Sequence, residues 1–241
     1  MKTIFPDLLA ERIHLNTSVI ALYDAPANTA FESVVETNPG IRKCLFAFYE
    51  DWMAGKTLKL SAGNYGCGGC GHWLFDLQTR DRQGFVKFLT EDEGLKDSYD
   101  LMNQWLDFNH PYKPENEAIF VGPYIGEFYE LMKSTTFFVN PDQLSVLMLA
   151  ANYFAAPGDV TPVKAPFGSG CMEMLPLFDT FEAPQAILGS TDLAMREHLP
   201  ANIMAFTVNK PMFENFCRIS EDSFLTKPFL KRLKNARGGG I

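Results

Sequence analysis

Two cysteines with two residues between them stand in the run Gly66-Cys67-Gly68-Gly69-Cys70-Gly71-His72. A C-x-x-C turn carries both sulfurs to one side of the backbone, so the pair can grip one soft metal ion. The glycines leave backbone N–H groups free to face a bound sulfide or anion, with no β-carbon to block its approach. Gly66, Gly68 and Gly69 are therefore candidate cofactor contacts, joined by Gly170 of a second glycine-rich loop, Phe167-Gly168-Ser169-Gly170. Zinc or an iron–sulfur cluster takes four ligands. Beyond Cys67 and Cys70, the candidates are Cys171, which the second loop delivers, Cys44, and His72. No second C-x-x-C accompanies the first, which removes the zinc-ribbon pattern. Gly71, standing between Cys70 and His72, removes the C-x-x-C-H attachment of a c-type haem.

The same residues admit two other readings, and the sequence leaves all three open. A C-x-x-C at the start of a helix can be a dithiol redox site, with the first thiol activated by the helix N-terminus. A strand-helix-strand order before the motif has a thioredoxin-like rhythm, but Gly66 stands where such motifs carry an aromatic residue. The third reading makes the thiols structural and the protein a non-catalytic small-molecule-binding module. Cys44, on the apolar stripe of its helix, and Cys217 also read as small core hydrophobes. His14, His110 and His198 have no partner motif and read as surface groups. Phosphate loops, dinucleotide fingerprints, the nucleophile elbow and the H-E-x-x-H zinc motif are all missing.

The elements that must position these residues follow from periodicity. Residues 17–24 read as a buried strand, and 41–54 as a helix with Ile41, Cys44, Leu45, Phe48 and Trp52 on one face and Gly55 ending it. Thr57–Ser61 is a strand leading into the cysteine loop. Residues 82–90 and 96–108 are helices, and the proline connector His110–Pro114 leads to strands at Ala118–Val121 and Thr135–Val139. Asn140-Pro141 opens a helix that Pro157-Gly158 stops. An extended segment over Thr161–Ala165, strands at Gln185–Leu188 and Ile203–Val208, a helix opened by Asn209-Lys210-Pro211 and a basic helix over 224–235 complete the chain. Displacing the sequence by 104 residues lays Cys67 on Cys171, Gly66 on Gly170 and Tyr49 on Tyr153, a weak sign of internal repetition.

The fold class is α/β or α+β, one domain over 1–241, with 1–110 and 111–241 as candidate internal halves. Hydrophobic residues make up 46% of the 241 and charged ones 21%, the balance of a packed globular chain. The net charge of −8 argues against nucleic acid and anionic membranes as partners, leaving a small molecule or a redox partner protein. Pro6, Asp7, Glu11 and Arg12 interrupt any export signal, and the apolar run Leu144–Ala156 is too short to span a bilayer. A cytoplasmic location is the expectation. In that reducing compartment five cysteines, an odd number, point to metal or redox chemistry rather than structural bridges.

Taken along the chain, the motifs resemble those of domain of unknown function 169, the uncharacterised archaeal cysteine-rich (ArCR) group. The matching stretches are Val19-Ile20-Ala21-Leu22, Cys44 through Gly55-Lys56, Gly66-Cys67-Gly68-Gly69, Phe138-Val139-Asn140-Pro141-Asp142-Gln143, Gly170-Cys171, and Phe206 to Pro211. Together they extend over most of residues 17–219. Cys70 departs from the pattern, where a small residue is expected, and Leu188-Gly189-Ser190 stands where the family has a later Gly-Cys. The resemblance implies no established activity; it favours Cys44, Cys67 and Cys171, while Cys70 rests on the C-x-x-C spacing alone.

Overall fold

The computed structural model describes residues 19–38, 42–77, 81–157, 162–239 and 241. His14, Thr17, Ser18, Ile41, Gly158 and Thr161, which figure in the expectations above, lie outside the described residues. Among the described residues, eight strands form one mixed sheet: β1 Ile20–Ala25, β2 Val34–Glu36, β3 Thr57–Ser61, β4 Ala118–Pro123, β5 Met132–Val139, β6 Val163–Lys164, β7 Ala186–Leu188 and β8 Met204–Asn209. Their order across the sheet is β2-β3-β4-β1-β5-β8-β7-β6. Only β2 with β3 and β6 with β7 run parallel; every other neighbouring pair is antiparallel.

That order repeats. Outward from the centre, the first four strands read first, fourth, third, second, and so do the last four. The two halves meet where β1 pairs with β5, Ile20 opposite Thr136. Each half closes its parallel pair with a crossover that carries a short helix. In the first this is a 3-10 turn, Leu45–Phe48, followed by α1 Tyr49–Met53; in the second it is a four-residue helix over Gly170–Glu173.

Alternation along the strands supplies both faces of the sheet with apolar side chains. Ile20, Leu22, Leu58, Leu60, Ile119, Val121, Phe138 and Ile187 face one helical layer. That layer holds α1, α2 Gly68–Phe75, α3 Arg82–Lys87, α4 Tyr99–Phe108 and the second-half crossover helix. Tyr23, Phe120, Phe137, Phe206 and Val208 face the other, built from α5 Pro141–Asn152, a helix over Lys210–Cys217 and a last one over Pro228–Ala236. The fold is thus mixed α/β, helices covering both faces of one sheet. No helix among the described residues is long and apolar enough to cross a membrane.

Local chemistry sets the element ends. Asn140 caps α5 with a complete capping box: its side chain accepts from Gln143 N at 2.9 Å, and Gln143 Oε1 accepts from Asn140 N at 2.9 Å. Gly55 takes φ +82°, the left-handed turn that ends the first crossover as the sequence indicates. The expected helix over 41–54 starts later, at Leu45. Cys44, with φ −57° and ψ 144°, is its cap and not a member of its apolar stripe. Strand β2 has no counterpart in the sequence reading, being three residues long and exposed at Val34 and Glu36.

Candidate functional site

The four-residue helix of the second crossover is α6, Gly170–Glu173, and the turn after β7 leads into α7, Leu193–Arg196. With the cap of the Leu45–Phe48 turn and the start of α2, these segments surround a cavity of about 280 Å³. Cys44, Cys67, Cys70 and Cys171 all line it, with Gly68, Gly69, Gly170 and Asp192; Trp73, Phe85 and Leu89 supply an apolar wall. Cys44 and Cys67 are half-buried, whereas Cys70 and Cys171 are 1% and 6% exposed.

Cys67 is the N-cap of α2, and its sulfur accepts from Cys70 N at 3.4 Å. Contacts between thiols link Cys67 to Cys70 and Cys70 to Cys171. A β-carbon added at Gly69 would lie 3.7 Å from Cys67 Sγ and 3.8 Å from Cys171 Sγ, so this glycine leaves open the space between two sulfurs. Gly170 has a different reason to be glycine: a β-carbon there would meet Met195 Sδ at 2.6 Å and the Phe46 ring at 2.8 Å. Gly66, at φ +81°, packs against the Lys43 carbonyl and serves the turn rather than the cavity lining.

Every thiol of the cluster is held above its ordinary ionisation range. The hydrogen bond to Cys70, then burial, raises Cys67 far above it. Cys70 is raised by its hydrogen bond with Cys171 and by burial. The bond from Cys70 works to lower Cys171, but burial and the neighbouring thiols outweigh it. Burial pushes Cys44 up to about 12. These shifts favour the neutral form of each thiol, and at Cys67 they run against the lowering that a helix N-terminus gives a thiol. Sulfur is the donor type that soft metals take, and binding one expels the thiol protons.

His72 does not join them. Its ring packs on Trp73 and Phe85, with centroids 4.4 and 5.1 Å away, and burial lowers its pKa. It lies outside the cavity lining, and its buried Nε2 finds no partner among the described residues. Cys217 sits on the opposite side of the sheet, packed against that face's core. Among the described residues no three His, Cys, Asp or Glu side chains stand in the arrangement of a preformed metal site. The cluster is four sulfurs lining one cavity, with Cys70 in contact with both Cys67 and Cys171.

Two acids that the sequence reading passed over organise the cavity. Asp192 caps α7 through Ala194 N at 2.9 Å, and its other oxygen accepts from Gly170 N at 3.2 Å. Glu173, 1% exposed, accepts from Ser190 N at 2.6 Å and from Thr191 N and Oγ1 at 3.5 Å. A β-carbon at Gly189 would lie 2.3 Å from Glu173 Oε2, and Ser190 holds φ 66° beside it. Burial pushes this carboxyl up to about 7 against the pull of its hydrogen bonds. The sequence signal for Glu173 is a lone acid between Met172 and Met174, within an apolar stretch.

The strand path also corrects the pairing of the repeat. Cys171 lies in the β6–β7 crossover and Cys44 in the β2–β3 crossover, so these two occupy matching connections. Cys67 caps the helix after β3, and its counterpart after β7 is Asp192, not Cys171. The cavity therefore receives one crossover and one following helix start from each half.

No curated protein and no solved structure matches the chain. A family model does, over residues 8–218, and its span takes in both halves of the sheet and all four cavity cysteines. The chain belongs to the domain of unknown function 169 family, described as uncharacterised ArCR.

Proposed function

We propose that this protein is a thiophilic metal-binding protein whose site is the cysteine cavity, with zinc or an iron–sulfur cluster as the group it holds. The observation that carries the reading is the convergence of Cys44, Cys67, Cys70 and Cys171, from three separate chain segments, on one cavity. Four sulfurs supply the donor type and number that such a group takes. Gly69 leaves room beside two of them. Ligation exchanges the contacts between thiols for bonds to metal and releases the thiol protons. Cys67, Cys70 and Cys171 form the contacting set, with Cys44 at its side; His72 is not a ligand in this reading.

The test is anaerobic purification and reconstitution with iron and sulfide or with zinc, followed by elemental analysis and a visible spectrum. The expected result is about one zinc ion or one cluster per chain. Replacing Cys67, Cys70 and Cys171 together by Ser removes it, and His72→Ala leaves it in place. A chain that stays metal-free after reconstitution overturns the proposal, as does a triple variant that binds as much as the parent.

A further inference from the structure

The cavity does not hold an isolated C-x-x-C pair. Cys70 touches Cys67 on one side and Cys171 on the other, and α2 and α6, which carry them, pack together across the two halves of the sheet. Of the three, Cys67 is half-buried, and the other two are almost wholly covered. We infer that a small aliphatic disulfide entering the cavity drives Cys70 and Cys171 into a cross-link between the halves, with Cys67 as the entry thiol and not a partner in the final bond.

The steps balance. At the alkaline pH of the test, hydroxide withdraws the Cys67 proton. Cys67 attacks one sulfur of the small disulfide, giving a mixed disulfide on Cys67 and releasing one small thiolate, which takes a proton back from water. Cys70 attacks the Cys67 sulfur and expels the second small thiol. Cys171 then attacks the Cys70 sulfur, forming Cys70–Cys171 and returning Cys67 as a thiol. Two protein thiols are oxidised and one small disulfide is reduced to two thiols; the first carries the equivalent of the proton Cys67 lost, the second the proton of Cys70, and the proton of Cys171 restores Cys67.

Access decides where the exchange stops, because a disulfide is reopened by a thiol that can reach one of its sulfurs. A bond that includes Cys67 remains within reach of the small thiol, whereas Cys70 and Cys171 are covered. Cys67 also keeps its place as the cap of α2 when it returns to the thiol. The cross-link itself needs no metal. Its consequence rests on the metal reading: it removes two of the proposed ligands, so oxidation and metal binding exclude each other.

The experiment treats the full chain, stripped of metal by a chelator, with 2-hydroxyethyl disulfide at alkaline pH, where buried thiols ionise fastest. After acid quenching and alkylation, non-reducing peptide mass mapping identifies the bond, and fragmentation between Gly68 and Gly69 separates Cys67 from Cys70. The expected main product joins Cys70 to Cys171. Cys171→Ser halts the exchange at Cys67–Cys70, and Cys67→Ser slows cross-linking by about tenfold, since the entry thiol is gone. Cys67–Cys70 as the final product of the parent chain overturns the inference, as does an adduct confined to Cys44; the parent chain decides this even if a variant does not fold. The two proposals fail separately. A chain that binds no metal yet forms Cys70–Cys171 loses only the metal reading, and one that binds metal through these thiols yet ends at Cys67–Cys70 loses only this one.

Discussion

The two halves of the sheet follow the same strand path, and each ties the loop after its third strand to its crossover, but with opposite chemistry. In the first half the tie is neutral: Asn64 Nδ2 donates to the Thr37 carbonyl, Thr37 Oγ1 donates to Asn64 Oδ1, and the pair is only partly buried. In the second the tie is the carboxylate of Glu173, sealed from solvent and gripping Ser190 and Thr191. A repeated topology therefore does not fix the interaction that holds it. The second half also spends its anchor next to a ligand candidate, since Cys171 and Glu173 share one short helix.

The comparison breaks most sharply at Glu173. Truncation to Ala leaves the buried Ser190 amide unpaired, frees Thr191 N and opens a void, a cost of about 3 kcal/mol. Asn64→Ala removes the first-half tie at a site water can reach, and about 1 kcal/mol is expected. Urea unfolding of both variants measures the difference. Equal losses would mean that the two ties are equivalent despite their burial.

Two glycines sharpen the contrast at the cavity. Gly170→Ala pushes a methyl group into Met195 and Phe46, and overpacking of that kind costs about 2 kcal/mol. Gly69→Ala meets only ordinary contacts at 3.7 and 3.8 Å and changes stability by about 0.5 kcal/mol or less. Its methyl group instead occupies the space between Cys67 and Cys171, so metal affinity falls on the order of tenfold while the melting temperature holds. If Gly69→Ala left metal affinity unchanged, that space would have no part in binding.

How much of this was legible in sequence varies with the physical signal. Strands with strong alternation or β-branched runs were visible: Thr57–Ser61 is as expected, and β1, β4, β5, β7 and β8 differ from the expectation by a few residues at most. Cys67 and Cys171 stand out by their glycine-rich loops, and Cys70 by the C-x-x-C spacing. Cys44 carried two readings, because its spacing from Leu45, Phe48 and Trp52 mimics a helical stripe; a start one turn later makes it a cap beside the cavity. His72 is a candidate only by its place in the chain, and aromatic packing on Trp73 and Phe85 decides its position. The short helices at Gly170 and Leu193 were missed, since four residues leave no periodicity to read. Asp192 and Glu173 gain their roles only when α6 and α7 meet.

A third pair of anchors extends the comparison and carries a pH signature. Asn209, fully buried on β8, donates to the Thr180 and Ala183 carbonyls and accepts from Gln185 N, a neutral hub for the loop before β7. Asp24 on β1 is its charged counterpart. It accepts from Tyr112 Oη at 2.6 Å and from the Glu115 and Asn116 amides at 2.7 and 2.9 Å, fixing the connector before β4. Burial, reinforced by the Asp24 carboxylate, holds the Tyr112 phenol well above its ordinary range. In the unfolded chain a tyrosine ionises near pH 10, while Tyr112 in the fold stays protonated. The folded state then binds more protons, and its stability from this group is present below about pH 10 and lost as pH rises further. Tyr112→Phe removes the hydrogen bond, costing about 1 kcal/mol at neutral pH while Asp24 keeps its amide donors. Unfolding curves at neutral pH and above pH 10 should show the gap between parent and variant closing as pH rises; a gap that stays constant would mean that Tyr112 ionises in the fold as it does in the open chain.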